Sequence, residues 1–468
     1  MRQLSLFLVF ASAVGCGSAE INHGDGGGGG AGGVGGSGGT GGSGGGGTGG
    51  SGGGGGMLGV PQNCPGGGTT TISGKVFAPN GTLPLYNAIV YVPSQTPMPF
   101  PDGVSCAPCN GKISNKAIDA AYSGSDGTFK MKDAPWGPNV PLVIEMGKWR
   151  VQTTLPNVTA CTDNPVPVTQ TTLPKNHMAG NIPKMAIATG SADPFECLLL
   201  KLGIDSAEIQ PTGMNTRIEF FTGANAPGTT MSGAQSATTL TTSLTNLLKY
   251  DLLILPCEGG EYPQMGTDNI ASYVNMGGRL FTTHYSYDWL TYTNSPFNAI
   301  TKTQVGGLWD KDQMDYPQID TTTVVANLVT NFPKGMAFAQ WLLSAGATSA
   351  ANTLNLQAIR HDIDDVDPML AQSWATDTMP SDSKAGIAHL TFNTPLNPPI
   401  DPDNGGPLYC GRVVYSDFHV AQSEAMGSTF PSACQSGPLT DQEKALAFML
   451  FDLSSCVQPD SQPPPPIQ

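Results

Sequence analysis

The periodicity of this chain changes at Pro183, and that change limits the folds open to it more than any other feature. Upstream, the segments are short and alternating. Residues 70–77 are followed by the turn Pro79-Asn80-Gly81, residues 87–93 form a second run, and Ser125-Asp126-Gly127 precedes residues 128–131. Residues 141–146 and 148–152 look like one more pair. Short alternating runs between Gly and Pro turns predict antiparallel strands stacked as a β-sandwich, here over 64–180. Downstream, strands alternate with helices, as in a doubly wound, flavodoxin-like α/β parallel sheet. The predicted strands are 184–190, 217–222, 251–256, 279–284, 385–392 and 411–419. Asp193-Pro194-Phe195-Glu196 predicts a helix with Asp at the N-cap, Pro first and Glu third. Residues 240–249 and 267–276 read as helices, the second stopped by Gly277-Gly278. Thr440 and Glu443 form the capping box of a closing helix. Residues 294–385 break the rhythm and are expected as an insertion lying over one end of the sheet, so the chain is multi-domain and its α/β domain spans 181–456. The Pro-rich tail 457–468 is expected to be disordered.

The N-terminus sets the address. Arg2, an apolar run from Leu4 and small residues before Cys16 make a secretory signal peptide over 1–16, too short to span a bilayer as a mature helix. Ala13-Val14-Gly15-Cys16 resembles the lipobox of bacterial lipoproteins. The resemblance implies lipidation at Cys16 and a membrane tether in the cell envelope, and Gly17 after it points to the outer membrane. Residues 17–63 are a Gly-rich linker that cannot bury enough apolar surface to offset its ordering entropy. About 35 such residues span roughly 30 Å. No strand precedes the glycines and no helix follows them, so they are not a phosphate-binding loop.

Export gives the ten cysteines an oxidising compartment. Setting Cys16 aside leaves nine, an odd number, so at least one is free or pairs between chains. Cys106 and Cys109 sit in a loop without a following helix, which favours structural disulfides over redox chemistry. With a formal charge of −15 and no basic cluster, nucleic acid and anionic lipid surfaces are excluded as partners.

Chemistry-bearing side chains gather at predicted strand ends. Cys257-Glu258-Gly259-Gly260 follows the third strand, His284 ends the fourth, and Asp417 with His419 ends a late one. Ligands of open α/β sheets bind at such ends. Residues 250–256 ending in Pro before Gly259-Gly260, Gly277-Gly278-Arg279-Leu280 leading to His284, and Gly411-Arg412-Val413-Val414-Tyr415 before His419 resemble the ThuA-like branch of the class I glutamine amidotransferase-like superfamily. Members of that superfamily with amidotransferase activity carry a cysteine in the turn after the fourth strand. Here His284-Tyr285-Ser286 stands there, so amidotransferase chemistry is not expected. The resemblance implies a site at His284, His419, Cys257 and Asp417. Upstream, Ile72-Ser73-Gly74-Lys75-Val76, Asn87-Ala88-Ile89-Val90-Tyr91-Val92 and Ser125-Asp126-Gly127-Thr128-Phe129 resemble carboxypeptidase regulatory-like (prealbumin-like) modules, which carry no catalysis.

Each candidate has a second reading: His284 and His419 as satisfied core histidines, and Cys257 as a buried small hydrophobe or half a disulfide. Two histidines with a thiolate or carboxylate also satisfy a zinc-like divalent metal site with an open position. The acidic run Asp362-Asp364-Asp365-Asp367 alternates like calcium ligands, but it lacks the glycine and closing Glu of a known loop and reads first as a solvated turn. Two functions follow. The first is a tethered binding or scaffolding lipoprotein, its partner a carbohydrate or an envelope protein. Its ligand would be lined by Glu258, Tyr285, Asp288, Trp289 and Trp309, with Tyr287 beside them. The second is a ThuA-like enzyme acting on a carbohydrate through a His-based or metal-assisted site. The lipobox is tested separately: Cys16→Ser is expected to move the protein out of the membrane fraction, and retention there would reveal another anchor.

Overall fold

The computed structural model describes residues 58–59 and 64–467, less 112, 114–115, 292–294, 301–322, 351, 358, 361, 379–384, 403–404, 421–427 and 435. Cys16, nearly all of the glycine linker and Trp309 lie outside the described residues.

Upstream of residue 183 the turn-rich sequence forms two small sheets. In the first, Thr71–Lys75 pairs antiparallel with Thr128–Met131 and parallel with Asp163–Pro165. In the second, the antiparallel order is Ala117–Tyr122, Ile89–Pro93, Gly137–Met146 and Trp149–Val158. Thr128–Met131 alternates exposed and buried residues as a strand with one wet face must.

The third sheet has eleven strands. Its parallel half runs in the order Ile218–Thr222, Met185–Ala188, Leu252–Leu255, Arg279–Thr283 and Gly411–Ser416. Leu252–Leu255 is apolar at every position because both its faces are covered. Ala385–Thr394 then lies antiparallel on Gly411–Ser416. The expected insertion does not simply cover one end. It contributes Ala371–Thr378, Val324–Leu328 and Thr353–Leu356, which continue the same sheet antiparallel, with helix Pro333–Ser344 between two of them. The burial of Val324, Ala326 and Leu328, with the residues between them exposed, is the strand period that identifies it. The helix expected over 240–249 is two short ones, Thr238–Thr241 and Leu244–Leu247, because the Ser243 side chain accepts from the Asn246 N–H and starts a new turn.

The closing helix Asp441–Ser454 opens with the expected capping box of Thr440 and Glu443. It is buried almost all round: Phe448 packs on Phe338, Trp341 and Trp374 and stacks on Tyr86 from the upstream region. Among the described residues four disulfides reinforce the fold: Cys64–Cys161, Cys106–Cys410, Cys109–Cys456 and Cys197–Cys434. Cys106 and Cys109 thus tie their loop to distant strand and helix ends rather than to each other.

The tail after Val457, expected to be disordered, is held by a buried ion cluster. Asp460 lies 2.7 Å from Arg412 and 3.4 Å from Lys334, and both cations also reach Asp452, at 3.1 and 2.9 Å. The composition of the tail gave no sign of this, because a single aspartate supplies the anchor. Burial pushes the Asp460 carboxyl up, but Arg412 and Lys334 outweigh it and hold it below its ordinary value. Its contribution is therefore complete above the unfolded carboxylate value near 3.9 and fades as pH falls through the lower folded value. Asp460→Asn should cost about 3 kcal/mol at pH 7, the scale of a broken buried pair. In urea unfolding the gap to wild type should narrow below about pH 4; a pH-independent gap would mean that packing, not charge, holds the tail.

Candidate functional site

Strand order decides what meets at the carboxyl ends of the parallel strands. The chain leaves Met185–Ala188 for a strand on one side and returns to Leu252–Leu255 on the other, which makes these two ends a topological switch point. The two loops approach backbone to backbone. A Cβ on Gly190 would stand 2.0 Å from the Cys257 carbonyl oxygen, so only glycine fits. One strand further, Thr283 passes into a tight turn at His284, whose φ of +49° is unusual for a side chain with a Cβ.

This geometry brings together Cys257, His284 and His419. Cys257 Sγ lies 3.3 Å from His284 Nδ1, and the two imidazole rings are 4.0 Å apart between centroids. One donor atom from each of the three falls within 4.8 Å of the others. Cys257 is the free cysteine among the described residues and is not half a disulfide. Cys257 and His284 are 0% exposed and His419 is 3% exposed, so the cluster is enclosed rather than lining an open crevice.

The enclosure sets the protonation states. Burial pushes the Cys257 thiol up; the Gly259 and Tyr285 N–H groups pull it down, but the Asp193 and Asp362 charges raise it further, and the net shift is upward. Burial, then His419 and Arg360, holds His284 well below its usual value; burial, then Arg360, takes His419 down to about 3. The resting centre is a neutral thiol with two neutral imidazoles, not a thiolate–imidazolium pair. Neither His284 Nε2 nor His419 Nε2 has a hydrogen-bond partner among the described residues, while His284 Nδ1 faces Cys257 Sγ.

A second layer surrounds the three. The strand-like bridge of Ile359 to Phe418 carries Arg360 and Asp362 alongside Asp417 and His419. Arg360 is held by Asp362 at 3.0 Å and donates to the Tyr285 hydroxyl at 2.7 Å, with its guanidinium 4.2 Å over that ring. Asp417 accepts from the Asp362 N–H at 2.7 Å, and burial followed by the Asp362 charge pushes its carboxyl well above the usual range. Asp193 does not cap its helix, whose N-cap is Pro194. It is fully buried instead, accepting from Thr283 Oγ1 at 2.5 Å and Val420 N–H at 3.0 Å, and burial raises it to about 7. Thr283 in turn accepts from the Cys257 N–H at 3.0 Å, so Asp193 ties together the loops that carry all three cluster residues.

Other expected residues sit elsewhere. The Glu258 carboxylate is occupied by the N–H groups of Ala224, Asn225 and Ala226 at 2.7–3.0 Å, where it shapes a loop instead of facing a ligand. Asp288 accepts from the Tyr262 N–H at 2.7 Å, and burial takes it to about 8. Tyr287 and Trp289 are packed in the apolar core with Leu290 and Phe297, and do not form a stacking wall. Sequence reasoning missed Arg360 and Asp193. The acidic run after Arg360 read as solvated, whereas Asp362 is buried against that arginine. A cavity of about 280 Å³ opens at the other end of the sheet, lined by Phe100, Tyr122, Glu145, Lys148 and Arg279.

A side chain kept for function rather than packing can be replaced at no loss to the fold. His419→Leu removes a buried ring nitrogen, Nε2, that has no hydrogen-bond partner among the described residues, and should leave stability within about 1 kcal/mol of wild type or above it, measured by urea unfolding with chelator present. A loss beyond about 2 kcal/mol would show instead that the ring is a structural part of the core.

No family model and no curated protein matches this chain. Solved structures with a likeness to it include a ThuA-like protein from Parabacteroides merdae, at TM-score 0.28 and 12% identity, covering 60% of this chain and 94% of that one. A ThuA-like protein from Bacteroides uniformis gives TM-score 0.25 and 9% identity over 57% and 88%. A cytoplasmic protein from Salmonella typhimurium gives TM-score 0.29 and 11% identity over 58% and 99%. Scores of this size carry no argument about what the chain does.

Proposed function

We propose that this chain is a lipid-tethered cell-envelope protein with a ThuA-like α/β domain, whose working centre is the enclosed cluster of Cys257, His284 and His419. The observation that carries the reading is the meeting of three chemistry-bearing side chains beside a switch point, two of them with buried ring nitrogens that have no hydrogen-bond partner among the described residues. Partnerless buried polar groups are costly, and they persist where a ligand or a reaction uses them. The five longer parallel strands, numbered among themselves by their place in the chain, lie in the order 2-1-3-4-5, which supports a flavodoxin-like arrangement. The two small sheets, sharing one apolar cluster that includes Ile72, Val90, Met131 and Ile144, support a sandwich of the carboxypeptidase regulatory-like kind. The Cys16 lipobox and the glycine leash support envelope localisation, outer membrane included.

The His-based reading gains over sugar stacking because Tyr287 and Trp289 are occupied in the core. A second reading, ligand binding without chemistry, rests on the separate cavity of about 280 Å³ at the opposite strand ends. One experiment addresses both. The purified protein is incubated with a panel of mono- and disaccharides, following consumption by chromatography and binding by thermal shift. Consumption that His419→Leu abolishes, while its Tm measured in chelator matches wild type, supports the His-based centre. A saturable shift without consumption, lost on Phe100→Ala and kept in His419→Leu, supports the cavity. If no sugar is consumed or bound, the carbohydrate part of the proposal falls.

A further inference from the structure

We propose that Cys257, His284 and His419 form a mononuclear site for a thiophilic late first-row cation, zinc or copper, coordinated by one thiolate and two imidazoles. The inference deepens the reading of this cluster as the working centre and rests on it. The donor set comes first. Thiolate and neutral imidazole are the ligands that select zinc and copper over magnesium, calcium or manganese, and one cysteine with two histidines serves catalytic zinc and copper electron-transfer centres alike.

Geometry agrees with the donors. Zinc–sulfur and zinc–nitrogen bonds of about 2.3 and 2.0 Å at a tetrahedral angle put those two ligand atoms about 3.5 Å apart. Sγ of Cys257 and Nδ1 of His284 are 3.3 Å apart, and the full triad of donors fits within 4.8 Å. A cation at their centre needs the widest donor pair, up to 4.8 Å apart, to close to about 3.5 Å, a shift that side-chain rotation can supply. A simple Cys–His hydrogen bond would explain one of these contacts. It would leave His419 in the apolar interior, pressed on the His284 ring, with Nε2 unpartnered among the described residues.

The surroundings are those of a built site. The three ligands come from three different strand ends, and Asp193 braces two of the loops through Thr283 and the third through the Val420 N–H. The Gly259 N–H points at Sγ from 3.2 Å, as backbone donors do around coordinated thiolates. On binding, the thiol proton leaves to solvent as the metal–sulfur bond forms, and both imidazoles enter neutral, so a divalent ion leaves one positive charge on the centre. Enclosure by the protein means that the ion is captured as the chain folds.

The test uses the full chain, produced in cells supplied separately with Zn2+, Cu2+ and Co2+, with metal content measured by mass spectrometry and the Co2+ and Cu2+ forms examined by absorption. Wild type should carry about one ion per chain, with a thiolate-to-metal charge-transfer band for cobalt or copper. The form retained when all three metals compete tells zinc from copper. Cys257→Ser should abolish the band, and His419→Leu should lower the metal content at least about tenfold, while each keeps the circular dichroism of wild type. Wild type emerging from all three cultures without metal overturns the proposal. So does metal whose amount is unchanged in both variants, since the ion would then sit elsewhere. Because coordination is read without any substrate, metal binding with no sugar turnover would defeat only the carbohydrate reading, and sugar turnover by a metal-free protein would defeat only this one.

Discussion

The packing of Phe448 is the contact on which the rest of the structure depends. Its ring meets Phe338, Trp341, Trp374 and Tyr86, which come from the closing-helix side of the large sheet and from the upstream region alike. Each aromatic pair contributes about 0.5–1.5 kcal/mol beyond area burial, so the group outweighs any single hydrogen bond here. A helix buried on one side would leave the large sheet with an uncovered face. One buried all round needs the upstream sheets as its second wall. Trp341 strengthens that join by donating its indole N–H to the Pro84 carbonyl at 2.8 Å.

The helix also carries Asp452, through which charge is arranged around packing. Lys334 and Arg412 share Asp452 and Asp460, four ions in a place water does not reach. Buried pairs of this kind rarely add net stability over apolar residues, but they punish mispairing. In this protein they fix the register of the tail against Gly411–Ser416, the strand that leads directly to Asp417 and His419. That strand is therefore clamped at its start, through Arg412, and ends next to the cluster.

At the cluster the priorities reverse. Three polar side chains sit in the interior with few hydrogen bonds, one of them on a backbone angle that favours glycine or asparagine. Around them Asp193, Thr283, Arg360 and Asp362 are bonded closely. A tightly satisfied outer layer holding an unsatisfied inner one is the pattern of preorganisation, in which stability given up at the centre is recovered from the shell.

Local pattern in the sequence carried a good deal of this. The strands Met185–Ala188, Ile218–Thr222, Leu252–Leu255, Arg279–Thr283 and Gly411–Ser416, the stop at Gly277 and the capping box at Thr440 follow from short-range steric and hydrogen-bond rules, and so they were legible, whereas the three strands within 324–378 were not. Cys257, His284, His419 and Asp417 could be named because strand ends in parallel sheets are where ligands gather. What lay beyond reach was every choice made between distant residues. Asp193 abandons its helix for Thr283, Asp362 leaves solvent for Arg360, Glu258 serves a loop, and Asp460 anchors a tail whose composition reads as disordered. A carboxylate carries no local signal of which donor it will meet. The sequence by itself determined most of the parallel-sheet elements and the pool of reactive side chains, because these depend on neighbours within a few residues. Only the tertiary structure decided which of those side chains share one enclosed space, because strand order and loop approach are settled by packing between residues far apart in the chain.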